Sequence, residues 1–197
     1  MYDRAARRAV DPLLNDLAAR CVARGISANT VTVAGFALGV LAVLLIAAGH
    51  NLLGLALLLA NRLADGVDGA VARQTRPTEL GGYLDIVLDF LIYAAVPLAI
   101  ALAQPAQALA AAALIFAFVG TGTSFLAYPI FVRDGSQHGK AFAYLGGLTE
   151  GGETIAFFVL VLLFPASFAW AAWIFAALCW ITTAGRIAAG VSALKDR

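Results

Sequence analysis

Charge is scarce in this chain: Asp, Glu, Lys and Arg make up only 13% of its 197 residues, against 62% hydrophobic ones. That balance excludes an ordinary soluble domain. With a mean hydropathy of +0.88, it points to an integral membrane protein too short for two large domains. Cysteine is almost absent as well. Cys21 and Cys179 lie far apart and neither has metal-ligand spacing, which excludes a cysteine metal site and argues against a structural disulfide. The first residues lack the apolar core of a cleavable signal peptide. Long linkers, charge blocks and low-complexity tails are missing, no internal repeat stands out, and no nucleic-acid partner is expected.

What the chain has instead is apolar length. Stretches over 30–49, 52–73, 82–103, 106–131, 146–164 and 168–191 each approach the ~20 residues a bilayer span requires. The expected fold is an all-α integral membrane protein with six transmembrane helices, occupying residues 25–197. The first, third and fifth connections (His50-Asn51, Gln104 to Gln107 and Pro165 to Ser167) carry no charge. All 13 Lys and Arg, and all 12 acids, then fall on the other side. By the positive-inside rule both termini and the charged connections are cytoplasmic. Residues 1–24 place apolar side chains at positions 2, 5, 6, 9, 10, 13, 14, 17, 18, 21 and 22, a helical stripe from which Arg4, Arg7, Arg8, Arg20 and Arg24 are excluded. An amphipathic juxtamembrane helix is expected there. Either it lies on the inner membrane surface with its arginines towards anionic headgroups, or it packs on the protein's own cytoplasmic ends.

Four aspartates interrupt this lipid-like chain. Asp65 and Asp68 are three apart and Asp85 and Asp89 four apart, so on helices each pair shares one face. Carboxylates at membrane depth are costly, and four of them converging call for a cation. Oxygen donors suit Mg²⁺, Mn²⁺ or Ca²⁺. A purely structural ion network is the competing reading, but one or two nearby arginines would leave it overcharged. Gly69 and Ala72 keep one face of the first pair small, and Arg73 adds planar donors for a phosphate oxygen. Together these residues describe a metal–diphosphate site near the cytoplasmic interface.

The run Asp65-x-x-Asp68-Gly69-x-x-Ala72-Arg73, followed by Gly81-x-x-x-Asp85-x-x-x-Asp89, resembles the signature of the CDP-alcohol phosphatidyltransferase family. The seven residues 74–80 between Arg73 and Gly81 are one fewer than in the family pattern. The resemblance implies that residues 25–197 form a transmembrane catalytic domain for phospholipid biosynthesis in the cell (inner) membrane. It implies transfer of a phosphatidyl group from CDP-diacylglycerol to a small alcohol, with release of CMP. Asp65, Asp68, Asp85 and Asp89 look like ligands of two Mg²⁺ or Mn²⁺ ions, Asp89 also like the general base. Asp68, Gly69, Ala72 and Arg73 look like the CDP-holding surface, and a homodimer is implied.

Other residues form a looser group. Arg62, three residues before Asp65, is expected to pair with that carboxylate or to meet a phosphate. With Arg133, Lys140, Glu150, Glu153 and Arg186 it makes up an expected acceptor pocket. The two glutamates would repel a phosphate dianion, which favours a polyol or amino alcohol over a phosphorylated acceptor. Asn29, Thr30 and Thr32 open the first span beside the pocket, with Asn29 a candidate N-cap. Two other readings compete. A membrane prenyltransferase also binds a diphosphate with aspartates, but resembles longer chains with widely separated acidic motifs. A divalent-cation transporter would need polar residues continuing across the membrane, and the outer halves of these spans are almost wholly apolar.

Overall fold

The computed structural model describes residues 2–131 and 147–195, with side chains from Asp11 onward in those segments. Among them lie seven α-helices: α1 (Tyr2–Ala23), α2 (Ala28–Ala47), α3 (Asn51–Gln74), α4 (Glu79–Ala103), α5 (Ala108–Phe131), α6 (Gly151–Leu163) and α7 (Phe168–Lys195). The chain divides into two compact units, residues 1–99 and 100–197.

Four of these helices, α2, α4, α5 and α7, are long and apolar enough to cross a membrane; α5 and α7 are each extended at their start by a short 3₁₀ turn. The protein is thus a multi-pass α-helical membrane protein, and the six-span expectation is corrected to four among the described residues. Two expected spans fail for different reasons. The stretch 52–73 forms α3, which is long enough but carries Arg62, Asp65, Asp68 and Arg73 from its midpoint onward. The stretch 146–164 yields only the 13-residue α6, about 20 Å long at ~1.5 Å per residue, well short of the ~30 Å hydrocarbon layer.

In residues 1–99, α3 packs between α1 and α2. Leu14, Leu17, Ala18, Cys21 and Val22 of α1 meet Val67, Ala70 and Val71 of α3, so part of the amphipathic stripe is spent on the protein itself. Asp16 and Arg20 on the same helix remain exposed and pair at 2.6 Å. Arg4, Arg7 and Arg8 lie outside the described side chains. The turn into α2 needs Gly25, at φ +70°, whose N–H donates to Val22 O. Ser27 then caps α2 by accepting from the Thr30 N–H at 3.2 Å, so the cap is Ser27 rather than Asn29. Gly35 and Gly39 let α2 approach its neighbours closely. A Cβ on Gly35 would stand 2.8 Å from Ala64 Cβ, and one on Gly39 2.7 Å from Ile92 Cδ1.

The uncharged connections are short turns. Gly49 at φ +83° closes the first, and 3₁₀ turns beginning at Pro105 and Pro165 lead into α5 and α7. Residues 100–197 hold an aromatic core. Phe157 stacks on Phe175 at 4.7 Å between centroids, and Phe118 meets Phe158 and Phe175 edge-on.

These packing distances assign different costs to two glycines. Gly35→Ala is expected to lower thermal stability in detergent by roughly 1–3 kcal/mol, because the methyl has backbone-borne Ala64 against it. Gly185→Ala, with nothing within 4 Å of the added methyl, is expected to be neutral or slightly stabilising. Equal melting temperatures for the two variants would contradict the close α2–α3 approach.

Candidate metal and nucleotide site

The second half of α3 and the first half of α4 carry the four aspartates. Between them runs a four-residue link, Thr75 to Thr78. Thr75 Oγ1 donates to Val71 O at 2.8 Å, closing α3, and Thr78 Oγ1 accepts from the Gly81 N–H at 3.0 Å, opening α4. Two threonines therefore accommodate the short spacing between Arg73 and Gly81. The helix faces do the rest.

Asp65, Asp68 and Asp85 come together, each offering an oxygen within 4.8 Å of the others. Asp68 is only 5% exposed, and its buried Oδ2 has no hydrogen-bond partner among the described residues. A buried, unpartnered carboxylate oxygen costs several kcal/mol unless something neutralises it. Three carboxylates this close, one buried with an orphaned oxygen, one half-buried and one exposed, fit a hard divalent cation, whose oxygen bonds run ~2.0–2.6 Å. The residues fit Mg²⁺ or Mn²⁺ and no soft metal.

Asp89 is placed differently. Arg62 donates from Nη1 to Asp89 Oδ2 at 2.8 Å and from Nη2 to Asp89 Oδ1 at 2.5 Å, a two-pronged pair. Asp65 is the more distant partner, 3.8 Å from Arg62 Nη1. Arg62 is held from behind as well. Its Nε and Nη2 donate to Asn61 Oδ1 at 2.9 and 2.8 Å, and Asn61 Nδ2 in turn donates to Gly35 O on α2 at 2.9 Å. Nη1 also donates to the Tyr93 hydroxyl at 3.2 Å, and the guanidinium lies 5.4 Å from that ring's centroid. All five N–H groups of Arg62 are thus engaged within the chain.

Beside the carboxylates opens a cavity of about 470 Å³. Asp68, Gly69, Ala72, Asp85, Thr32 and Arg76 are among its walls. Arg73 is not a wall residue; its Nη1 folds back to 3.3 Å from where a Gly69 Cβ would stand. Glycine at position 69 therefore leaves room both for that side chain and for a ligand in the cavity.

Of the expected acceptor group, Glu150 and Arg186 lie within electrostatic reach of each other. Arg133 and Lys140 lie outside the described residues. Glu150 and Glu153 form a capping box at the start of α6: Glu150 Oε1 accepts from the Gly147 N–H and Glu153 Oε2 from the Glu150 N–H, each at 3.1 Å. Arg186 is buried in α7; its Nη1 donates to Thr121 O at 3.0 Å, and it lies over the Phe125 ring. Arg62 belongs with the aspartates. Sequence reasoning passed over Asn61, Tyr93 and Arg76. A lone amide inside the apolar run before Arg62 is the one signal that could have pointed to Asn61; Tyr93, four residues after Asp89, shares its helical face.

Known proteins share a sequence pattern and a fold with this chain. The sequence model of the CDP-alcohol phosphatidyltransferase family matches residues 26–185. The chain is 50% identical to the inner membrane protein YnjF of Escherichia coli (strain K12) over 203 aligned residues, covering 100% of this chain and 98% of that protein. It is 40% identical over 86 residues to the archaetidylinositol phosphate synthase of Methanothermobacter thermautotrophicus, covering 43% of this chain and 40% of that one. Its fold is similar to the crystal structure of Mycobacterium tuberculosis phosphatidylinositol phosphate synthase with CDP-DAG bound. There the TM-score is 0.76 at 19% identity, covering 91% of this chain and 94% of that one.

Removing the amide that holds Arg62 has a defined cost. Asn61→Ala strips partners from Arg62 Nε, from Arg62 Nη2 and from Gly35 O, all away from bulk water. A loss of roughly 1–3 kcal/mol is expected in thermal or denaturant unfolding. No change in stability would mean that Asn61 does not anchor the pair.

Proposed function

The chain belongs to the CDP-alcohol phosphatidyltransferase family and is an enzyme of that type, and from that premise we propose that it moves a phosphatidyl group from CDP-diacylglycerol to a small alcohol, releasing CMP. The observation that carries this reading is the trio Asp65, Asp68 and Asp85 beside a cavity large enough for a nucleotide headgroup. The bound CDP-DAG of the mycobacterial synthase, which has the same fold, supports the choice of donor.

Asp65, Asp68 and Asp85 would hold Mg²⁺ or Mn²⁺, which supplies neutralisation of the diphosphate and of the departing CMP phosphate. Gly69 and Ala72 leave the cavity wall low, so that the nucleotide can lie against α3. Arg73, behind Gly69, and Arg76, on the wall, offer fixed positive charge to phosphate oxygens. Asp89 takes the acceptor's proton. Its Oδ1 accepts one hydrogen bond, from Arg62 Nη2, and so keeps a lone pair for a hydroxyl. The alcohol oxygen then attacks the phosphorus bearing diacylglycerol, the bond to the CMP oxygen breaks, and CMP departs. Arg62 keeps the Asp89 carboxylate in one orientation throughout.

The positive-inside pattern supports an inner-membrane location with both termini and the site cytoplasmic, and the inner-membrane name of the E. coli relative agrees. Family resemblance supports a homodimer. Of the expected acceptor group in residues 100–197, the described members are two carboxylates and one guanidinium, which favours an uncharged or cationic alcohol.

Two measurements test this reading. Purified protein with CDP-diacylglycerol and a suitable alcohol should release CMP. Chelation should abolish release reversibly, and Asp65→Asn, Asp68→Asn or Asp85→Asn should each lower kcat by at least a hundredfold. Substantial turnover in excess chelator would sink the assignment. In a screen of glycerol, inositol, serine, ethanolamine, choline and glycerol 3-phosphate, an unphosphorylated alcohol should give the highest kcat/KM; glycerol 3-phosphate as the best acceptor would overturn the electrostatic choice.

A further inference from the structure

We propose that Thr182 is a positioning residue for the acceptor alcohol, its hydroxyl fastening the turn from Gly147 to Glu150 onto α7 and so fixing where Glu150 stands relative to Arg186. The inference rests on the acceptor reading above and goes beyond it by naming the contact that sets the spacing of the two charges.

From Cys179 onward the buried face of α7 changes character: Cys179, Thr182, Thr183 and Arg186 are all buried there. Polar side chains inside an apolar helix are costly unless something uses them. Thr183 is satisfied locally, donating from Oγ1 to Cys179 O at 2.8 Å. Thr182 reaches across to the turn before α6 instead. Its Oγ1 accepts from the Leu148 N–H at 3.1 Å and from the Thr149 hydroxyl at 3.2 Å. Both acceptor positions of that hydroxyl are then filled. The methyl is used as well, because a Cβ on Gly147 would collide with Thr182 Cγ2. Glycine at 147 lets the turn lie directly on it.

The fastened turn carries one charge and α7 carries the other. Glu150 follows Thr149 in the turn, where its Oε1 accepts from the Gly147 N–H at 3.1 Å. Arg186 lies one helical turn beyond Thr182 on the same face, and its Nη1 is bound to Thr121 O at 3.0 Å. Thr182 ties the two together. Losing its hydroxyl would strip a partner from the Leu148 N–H and from the Thr149 hydroxyl and loosen the turn from α7. A shift of about 1 Å in the groups that hold a reactant is enough to cost tenfold or more.

Steady-state CMP release from CDP-diacylglycerol tests this, with the full chain in detergent and the best acceptor of the screen above. Thr182→Val keeps the shape and removes the hydroxyl. It should raise the KM for the alcohol about tenfold and leave the KM for CDP-diacylglycerol within roughly twofold. Thr182→Ser keeps the hydroxyl and should hold the acceptor KM close to that of the unaltered protein. An unchanged acceptor KM in folded Thr182→Val, equal rises in both KM values, or a Thr182→Ser as impaired as Thr182→Val overturns the proposal. If Thr182→Val does not fold, Thr149→Val, which removes only the second bond, decides by the same comparison of the two KM values. Failure of the acceptor reading itself looks different: the acceptor KM would be untouched by both Glu150→Gln and Arg186→Lys, and the role of Thr182 would fall with it.

Discussion

The pairing of Arg62 with Asp89 is the interaction around which residues 1–99 are arranged. It joins α3 to α4 by two charge-assisted hydrogen bonds in a partly buried setting, where a lone charge of either sign would be strongly unfavourable. Asn61 extends the link to α2 by accepting from Arg62 and donating to Gly35 O. Three helices are thereby held at one level, and that level is where the remaining carboxylates meet. The geometry of the acidic trio follows from a contact none of its members forms the core of.

Small residues make the arrangement possible. Gly35 and Gly39 bring the α2 backbone close enough for an amide on α3 to reach it, and any larger side chain there would push the helices apart. On the other face of α3, Leu14 of α1 lies over Gly66, and Val67, Ala70 and Val71 bury against the same helix. α3 is therefore apolar towards α1, polar towards α4, and open at Gly69 and Ala72 to the cavity. Its charges, which make it too polar to count as a span, are those the proposed chemistry uses. A helix with these faces needs neighbours to satisfy it, and α1, α2 and α4 supply them.

Within residues 100–197 several described polar groups find partners in the same unit. Glu150 and Glu153 accept backbone N–H groups at the start of α6, where the helix dipole also favours them. Thr182 accepts from the Leu148 N–H and from Thr149, and Arg186 donates to Thr121 O. The aromatic core of Phe118, Phe157, Phe158 and Phe175 fixes α5, α6 and α7 against one another. Family membership, established over residues 26–185, spans both units.

Much of the site was legible in the chain because helical spacing is local. Aspartates three and four positions apart on a helix share a face whatever the fold, and the Gly69, Ala72 and Arg73 pattern follows the same rule. The helical nature of the apolar stretches was equally local, but the number of spans was not. Whether 52–73 crosses a membrane depends on where its charges find partners, and apolar residues before Gly151 do not by themselves extend α6. The spacing of Glu150 and Glu153 suits a pocket and a capping box alike, and the capping box is present. Spacing along one helix thus determined the aspartate pairs. Which carboxylate Arg62 would neutralise, and which three would be left together, was decided only when α2, α3 and α4 packed, because hydrogen bonds across helices depend on distances that no local pattern encodes.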